Sequence, residues 1–224
     1  MTLRPFFSFF GGKWTLAPRY PLPKREIIIE PFAGSAGYAT RYHDRLVILV
    51  ERDPTVARLW RWLIEVSTDE VMSLPLDARE RFSLKEPARD LVGFWCGRGR
   101  TQPASTTSPW MASGKWPSSF WGPYARERIA RQVQCIRHWR VIEGDYTSAP
   151  DVDATWFVDP PYVGSRHYRA RVEDYAALSS WCRRRSGQVI VCEQNGADWL
   201  PFKHFRNVKS INRGTSTEAV YTQG

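Results

Sequence analysis

An α/β fold with a mostly parallel sheet and helices on both faces is the expectation set by three features of the sequence. Short β-branched runs recur, segments at helical spacing separate them, and the runs end in acids or turn residues. Ile27-Ile28-Ile29 opens a strand over 27–32, since β-branched side chains suit a pleated surface. A turn of small residues follows, Phe32-Ala33-Gly34-Ser35-Ala36-Gly37, in which Gly34 and Gly37 permit close backbone approach to a ligand, and a helix starts from about 36. Leu46 to Glu51 reads as a second buried strand ending in an acid. Over 54–66, Val56, Leu59, Trp60 and Leu63 fall at helical spacing and are core positions. After a long interruption, strands are expected near 139–143 and 154–159. Tyr175, Leu178 and Trp181 mark a further amphipathic helix leading into a buried strand from Gln188 to Cys192. Final strands are expected near Val208 to Ile211 and Ala219 to Tyr221, with the polar stretch around 213–218 read as a mobile hairpin tip.

The most informative segment is Thr155-Trp156-Phe157-Val158-Asp159-Pro160-Pro161-Tyr162. Its two prolines offer no ladder donors, so the turn lies at the carboxyl end of a strand, where open α/β sheets place their ligands. An amino group conjugated to a purine ring is a poor nucleophile, because its lone pair is delocalised into the ring. Two acceptors aimed at its hydrogens, the Asp159 carboxylate and the Pro160 carbonyl, favour a pyramidal nitrogen, and the Tyr162 ring offers a face for stacking. This pattern points to methyl transfer onto the exocyclic nitrogen of adenine. Glu51 stands about twenty residues after the glycine turn, where the acid of a nucleotide-binding βαβ unit hydrogen-bonds ribose hydroxyls. The turn itself does not match G-x-G-x-x-G. At the amino terminus, Phe6-Phe7-Ser8-Phe9-Phe10-Gly11-Gly12-Lys13-Trp14 places a lysine after two glycines, and Lys13 is expected to meet a carboxylate.

Taken together, these segments resemble the Dam-like, D12-class adenine-N6 DNA methyltransferases, which use S-adenosylmethionine, and the resemblance covers nearly the whole chain in order. Phe10-Gly11-Gly12-Lys13 is similar to the family's amino-terminal Gly-Gly-Lys element, whose lysine lies near the methionine end of the cofactor. Glu30-Pro31-Phe32-Ala33-Gly34 resembles its Phe-x-Gly-x-Gly cofactor motif, Glu51 its ribose-binding acid, and Gly144-Asp145-Tyr146 the segment whose acid approaches the cofactor's adenine. Asp159, Pro160, Pro161 and Tyr162 match its catalytic motif. The resemblance therefore implies a Rossmann-like methyltransferase fold and a cofactor site made by Phe10, Gly12, Lys13, Glu30, Phe32, Gly34, Glu51 and Asp145. One departure is Ala36, which occupies the second glycine of the motif and is expected to shift the loop slightly.

The two parts of such a catalytic domain are 1–68 and 139–224, and the insert over 69–138 is the expected target-recognition region. Between Trp95 and Tyr124 it mixes Gly, Pro and Ser with Trp95, Trp110, Trp116, Phe120, Trp121 and Tyr124, and adds Arg98, Arg100 and Lys115. Cationic side chains meet phosphates or guanine edges and flat rings stack on bases, although most of these tryptophans are expected to staple a loop-rich subdomain. In the following helix Ile129, Val133 and Ile136 form one face, while Arg128, Arg131 and Gln132 lie off it and form a basic face suited to a DNA backbone.

A net charge of +9 implies a polyanionic partner, here double-stranded DNA. The length suits one sizeable core and a solitary enzyme without a fused nuclease, from a restriction-modification system, a phage or a chromosome, acting as a monomer or weak dimer. No membrane span or signal peptide is evident, so a cytoplasmic protein is expected. Cys96, Cys135, Cys182 and Cys192 lack Cys-x-x-Cys spacing and the four histidines are scattered, which argues against a metal site and for reduced thiols. The alternatives are an N4-cytosine or RNA-adenine methyltransferase, the first disfavoured by Asp rather than Ser at 159, and a silent DNA- or SAM-binding module.

Overall fold

The computed structural model describes residues 2–97, 99–111, 118–165, 167–168, 171–209 and 215–224. Five parallel strands form its centre: β1 (Ile27–Glu30), β2 (Leu46–Glu51), β3 (Arg140–Glu143), β4 (Ala154–Val158) and β5 (Gly187–Gln194). An antiparallel pair, β6 (Lys203–Lys209) and β7 (Thr215–Gln223), completes a seven-stranded sheet in the order β3-β2-β1-β4-β5-β7-β6. The helices are α1 (Gly37–Arg41), α2 (Pro54–Glu65), α3 (Thr68–Ser73), α4 (Ala88–Trp95), α5 (Pro123–Gln132) and α6 (Tyr175–Arg183).

From β1 the chain winds outward through β2 to β3, then returns to place β4 on the other side of β1. Between β1 and β4 the loops therefore leave the sheet in opposite directions, opening the crevice in which doubly wound sheets bind ligands. The expected strand over 27–32 stops at Glu30, because Pro31 cannot donate to the ladder. Successive residues of the central strands pack on opposite faces. Ile28, Leu49 and Phe157 join α2 and the amino-terminal Phe6 and Phe7, while Ile29, Val50, Trp156 and Val158 join Leu178 and Trp181 of α6. Burial on both faces is why these strands read as continuous apolar runs.

Between α4 and α5 the described residues form no α-helix or strand, as expected of a loop-rich segment, yet the insert is packed into the domain. Its helices α4 and α5 contribute Leu91, Phe94, Trp95 and Ile129 to the same core as Trp60 of α2. Trp95 and Trp121 are buried staples, their indole N–H groups donating to Phe6 O (2.9 Å) and Pro75 O (2.7 Å), whereas Trp110 and Tyr124 stay exposed. The basic face expected on α5 is only partly present. Gln132 is buried, exchanging hydrogen bonds with the Arg4 backbone, because the amino-terminal arm crosses there, and Arg128 donates to Pro5 O with its guanidinium between Trp95 and Tyr124.

At the carboxyl end the two strands are longer than their apolar cores suggest. Thr215 to Glu218 pair with β6, so most of the expected polar tip is strand, threonine being a good strand former even without apolar alternation. Ser210 to Gly214, which include the end of the expected 208–211 strand, lie outside the described residues. No helix among the described residues is long and apolar enough to cross a membrane.

Candidate active site

A cleft of about 300 Å³ opens at the carboxyl ends of β1, β2 and β4. One wall is the glycine turn with Phe32 and Gly34, a second is Glu51 to Asp53 at the end of β2, and a third is Asp145 and Tyr146. Asp159 and Pro161 form its floor on the β4 side. The segment after the turn contributes Tyr168, Arg171, Val172, Glu173 and Asp174.

The glycine turn owes its shape to steric exclusion. Gly34 has φ +46°, and a Cβ there would lie 3.0 Å from the Phe9 ring. A Cβ on Gly37 would meet Trp14 N at 2.5 Å and Lys13 N at 2.8 Å, so the absence of a side chain lets the Gly-Gly-Lys segment lie against the start of α1. Ala36 is held in the left-handed region (φ 48°, ψ 52°) with its methyl group fully buried. The loop thus accepts the methyl group and carries the backbone strain that a glycine would avoid.

Lys13 meets a carboxylate, as the sequence predicts, and the structure identifies it as Asp159. The ammonium donates to Asp159 Oδ2 at 2.9 Å and to Gly11 O at 3.0 Å. Oδ1 is also within 2.8 Å of Nζ, so the ammonium lies against both carboxylate oxygens. Lys13 Nζ lies 4.9 Å from the centre of the Tyr162 ring, on one of its faces. Burial works against the Lys13 charge, yet Asp159 and Glu218 outweigh it and hold its pKa above the ordinary lysine value. Burial raises Asp159, the Lys13 ammonium pulls it back, and the charge of Glu218 raises it further.

Across the cleft, Glu51 is fixed by two backbone donors, Gly34 N (2.9 Å) and Asp53 N (2.8 Å). Burial nevertheless lifts its pKa to about 7. Asp145 caps a short turn through Thr147 N (2.9 Å), and the Phe32 and Tyr146 rings stack at 5.7 Å.

Four of the expected cofactor residues stand apart from the wall, Lys13 reaching it only through Asp159. Glu30 is buried behind it, where its carboxylate accepts from Ala39 N at 2.6 Å and ties β1 to α1, and burial pushes its pKa up to about 8. Phe10 packs on His167 with centroids 4.3 Å apart, and Gly12 supports Ser35, while neighbouring Phe9 lines the cleft. Of the expected DNA contacts, Arg100 is exposed and Arg128 is engaged as described, and Arg98, Lys115 and Trp116 lie outside the described residues.

The sequence reading misses Tyr168 and the 171–174 segment, which carry no motif. It also misses Glu218, placed there in a hairpin tip. The one available signal is its position directly before the apolar Ala219-Val220-Tyr221 run. The Tyr162 hydroxyl donates to Glu218 Oε2 at 2.7 Å, and Glu218 Oε1 is 4.0 Å from Lys13 Nζ. In comparisons with known proteins the chain matches no protein-family model, and no curated protein matches it.

Proposed function

We propose that the protein transfers a methyl group from S-adenosylmethionine to N6 of an adenine displaced from duplex DNA. The observation that carries this reading is the Asp159 carboxylate, gripped by the Lys13 ammonium at a Pro-Pro-Tyr turn and lining the cleft. Such an acceptor suits an amino N–H, whereas a second anion there would meet repulsion. For the cofactor, Glu51 and Asp145 are the acceptors for ribose hydroxyls and adenine, Phe32 and Tyr146 are flat apolar walls, and the Gly34 turn lets backbone approach closely. When bound, S-adenosylmethionine supplies an electrophilic methyl group.

Asp159 and the Pro160 carbonyl hold the two amine hydrogens, which localises the nitrogen lone pair toward the cleft. Tyr162 supports the base from below, a stacking interaction worth roughly 1–3 kcal/mol against the cost of unstacking it. An amine that took the methyl group, with the C–S bond of the donor breaking as the C–N bond formed, would carry positive charge on N6. Asp159 stabilises that charge and stands in line to receive the proton the product nitrogen releases. Lys13 fixes the Asp159 carboxylate in this orientation. The net charge of +9 favours the polyanionic partner.

The test is incubation with S-adenosylmethionine tritiated on the methyl group and DNA from a methylation-deficient host, followed by hydrolysis and nucleoside chromatography. Label in N6-methyladenine is expected. Label in N4-methylcytosine, transfer to RNA instead, or binding without transfer would each replace this reading.

A further inference from the structure

Strand β7 enters the site through a residue for which the catalytic motif has no counterpart. Glu218 pairs with Gln194 of β5 in the sheet ladder and is only 8% exposed. One of its carboxylate oxygens accepts the Tyr162 hydroxyl at 2.7 Å, and the other lies 4.0 Å from the Lys13 ammonium. Lys13 is in turn held by Asp159 and sits over a face of the Tyr162 ring. A single carboxylate thus reaches two of the side chains that shape the turn. Two carboxylates flank one ammonium, so Lys13 has a second acceptor within reach if its hold on Asp159 loosens. A phenol has only one hydrogen to give, and donating it to Glu218 anchors the hydroxyl end of a ring whose body packs against the core. Burying a carboxylate is costly, and an apolar residue of similar volume would serve a purely structural role equally well.

We propose that Glu218 is a positioning residue for methyl transfer: it fixes the Tyr162 ring through its hydroxyl and stands as a second carboxylate beside the Lys13 ammonium that holds Asp159. This inference rests on the methyl-transfer reading above.

The experiment compares wild type, Glu218→Ala, Glu218→Gln, Tyr162→Phe and the Glu218→Ala/Tyr162→Phe double variant. Three quantities are measured on each: initial rates of tritium transfer into DNA adenine, calorimetric Kd for S-adenosylmethionine, and the thermal midpoint of the ligand-free protein. Glu218→Ala is expected to lower kcat by about 30-fold or more while Kd changes by less than about threefold, the pattern of an interaction that matters in the transition state. Glu218→Gln, whose amide oxygen still accepts from Tyr162, recovers most of that loss. In both kcat and thermal midpoint the double variant resembles Glu218→Ala rather than the product of the single changes, because both substitutions remove the same hydrogen bond.

A kcat within about threefold of wild type in Glu218→Ala overturns the proposal, as does a loss matched by an equal loss of cofactor affinity. Should the alanine variant fail to fold, Tyr162→Phe decides: it deletes only the hydroxyl, and an unchanged kcat is fatal to the idea. Wild type that labels no DNA adenine removes the methyl-transfer reading and this role with it. Active wild type beside an unaffected Glu218→Ala removes the Glu218 role alone.

Discussion

Lys13 and Asp159, 146 residues apart in the chain, meet with the ammonium 2.8 Å from one carboxylate oxygen and 2.9 Å from the other. The pair ties the amino-terminal Gly-Gly-Lys segment to the turn after β4 and aims the acid at the cleft. Removing one partner leaves the other as an unpaired buried charge, so Lys13→Ala is expected to destabilise the protein by about 3–5 kcal/mol. Asp159→Asn keeps the shape and an acceptor oxygen, and is expected to fold while losing about 100-fold or more in turnover, with cofactor affinity largely kept. Denaturant unfolding and single-turnover transfer are the measurements, and near-normal turnover in Asp159→Asn would sink the mechanism.

Glu51 should act on binding rather than chemistry. Burial lifts its pKa to about 7. The carboxylate form is the better acceptor for ribose hydroxyls, so cofactor affinity should rise as pH increases through about 7. Glu51→Gln should weaken binding and flatten that dependence. Calorimetry across the range checks both, and an unchanged pH profile in the variant would reassign the titrating group.

Glu30 makes a separate prediction about stability. Burial raises its pKa from the ordinary 4.5 to about 8, so between those values the folded chain holds a proton that the unfolded chain has released. Its contribution is therefore complete below the unfolded value and is lost as pH rises through the folded one. Glu30→Gln cannot lose that proton, and its stability should decline less steeply over this window than that of wild type. Urea unfolding at a series of pH values would show it, and parallel curves for the two proteins would contradict the assignment.

Ala36 tests the backbone of the glycine turn after β1. Its left-handed conformation costs about 1–2 kcal/mol, which glycine would relieve while losing a buried methyl group and gaining freedom in the unfolded chain. Ala36→Gly is expected to be neutral within about 1 kcal/mol, whereas Ala36→Val, β-branched at positive φ, should cost more than about 2 kcal/mol. Thermal unfolding distinguishes them, and a tolerated valine would mean the loop refolds.

DNA binding by the insert is tested by removing charge at Arg98, Arg100 and Lys115 together. DNA affinity should fall with cofactor affinity intact. For every phosphate that is no longer neutralised, the dependence of log affinity on log salt should flatten by roughly one unit. Filter binding at several salt concentrations measures this. An unaltered slope moves the DNA surface elsewhere, to Arg131 on α5 or to Arg171 at the cleft mouth, both exposed.

By itself the sequence determined whatever is encoded locally. β-branched runs gave the central strands, helical spacing gave α2 and α6, and Asp159 to Tyr162 announced a turn at a strand end because proline cannot continue a ladder. It also named Lys13, Glu51 and Asp159 as residues to expect near one another, and the fold brings Lys13 to Asp159 and sets Glu51 and Asp159 in one cleft. Only the tertiary structure decided which neighbours those residues keep. Glu30 turned inward because α1 offers it backbone donors, and Gln132 and Arg128 were drawn in by the amino-terminal arm crossing α5. Glu218 reached Tyr162 because the final hairpin returns antiparallel beside β5, a pairing between strands that no local pattern of residues specifies.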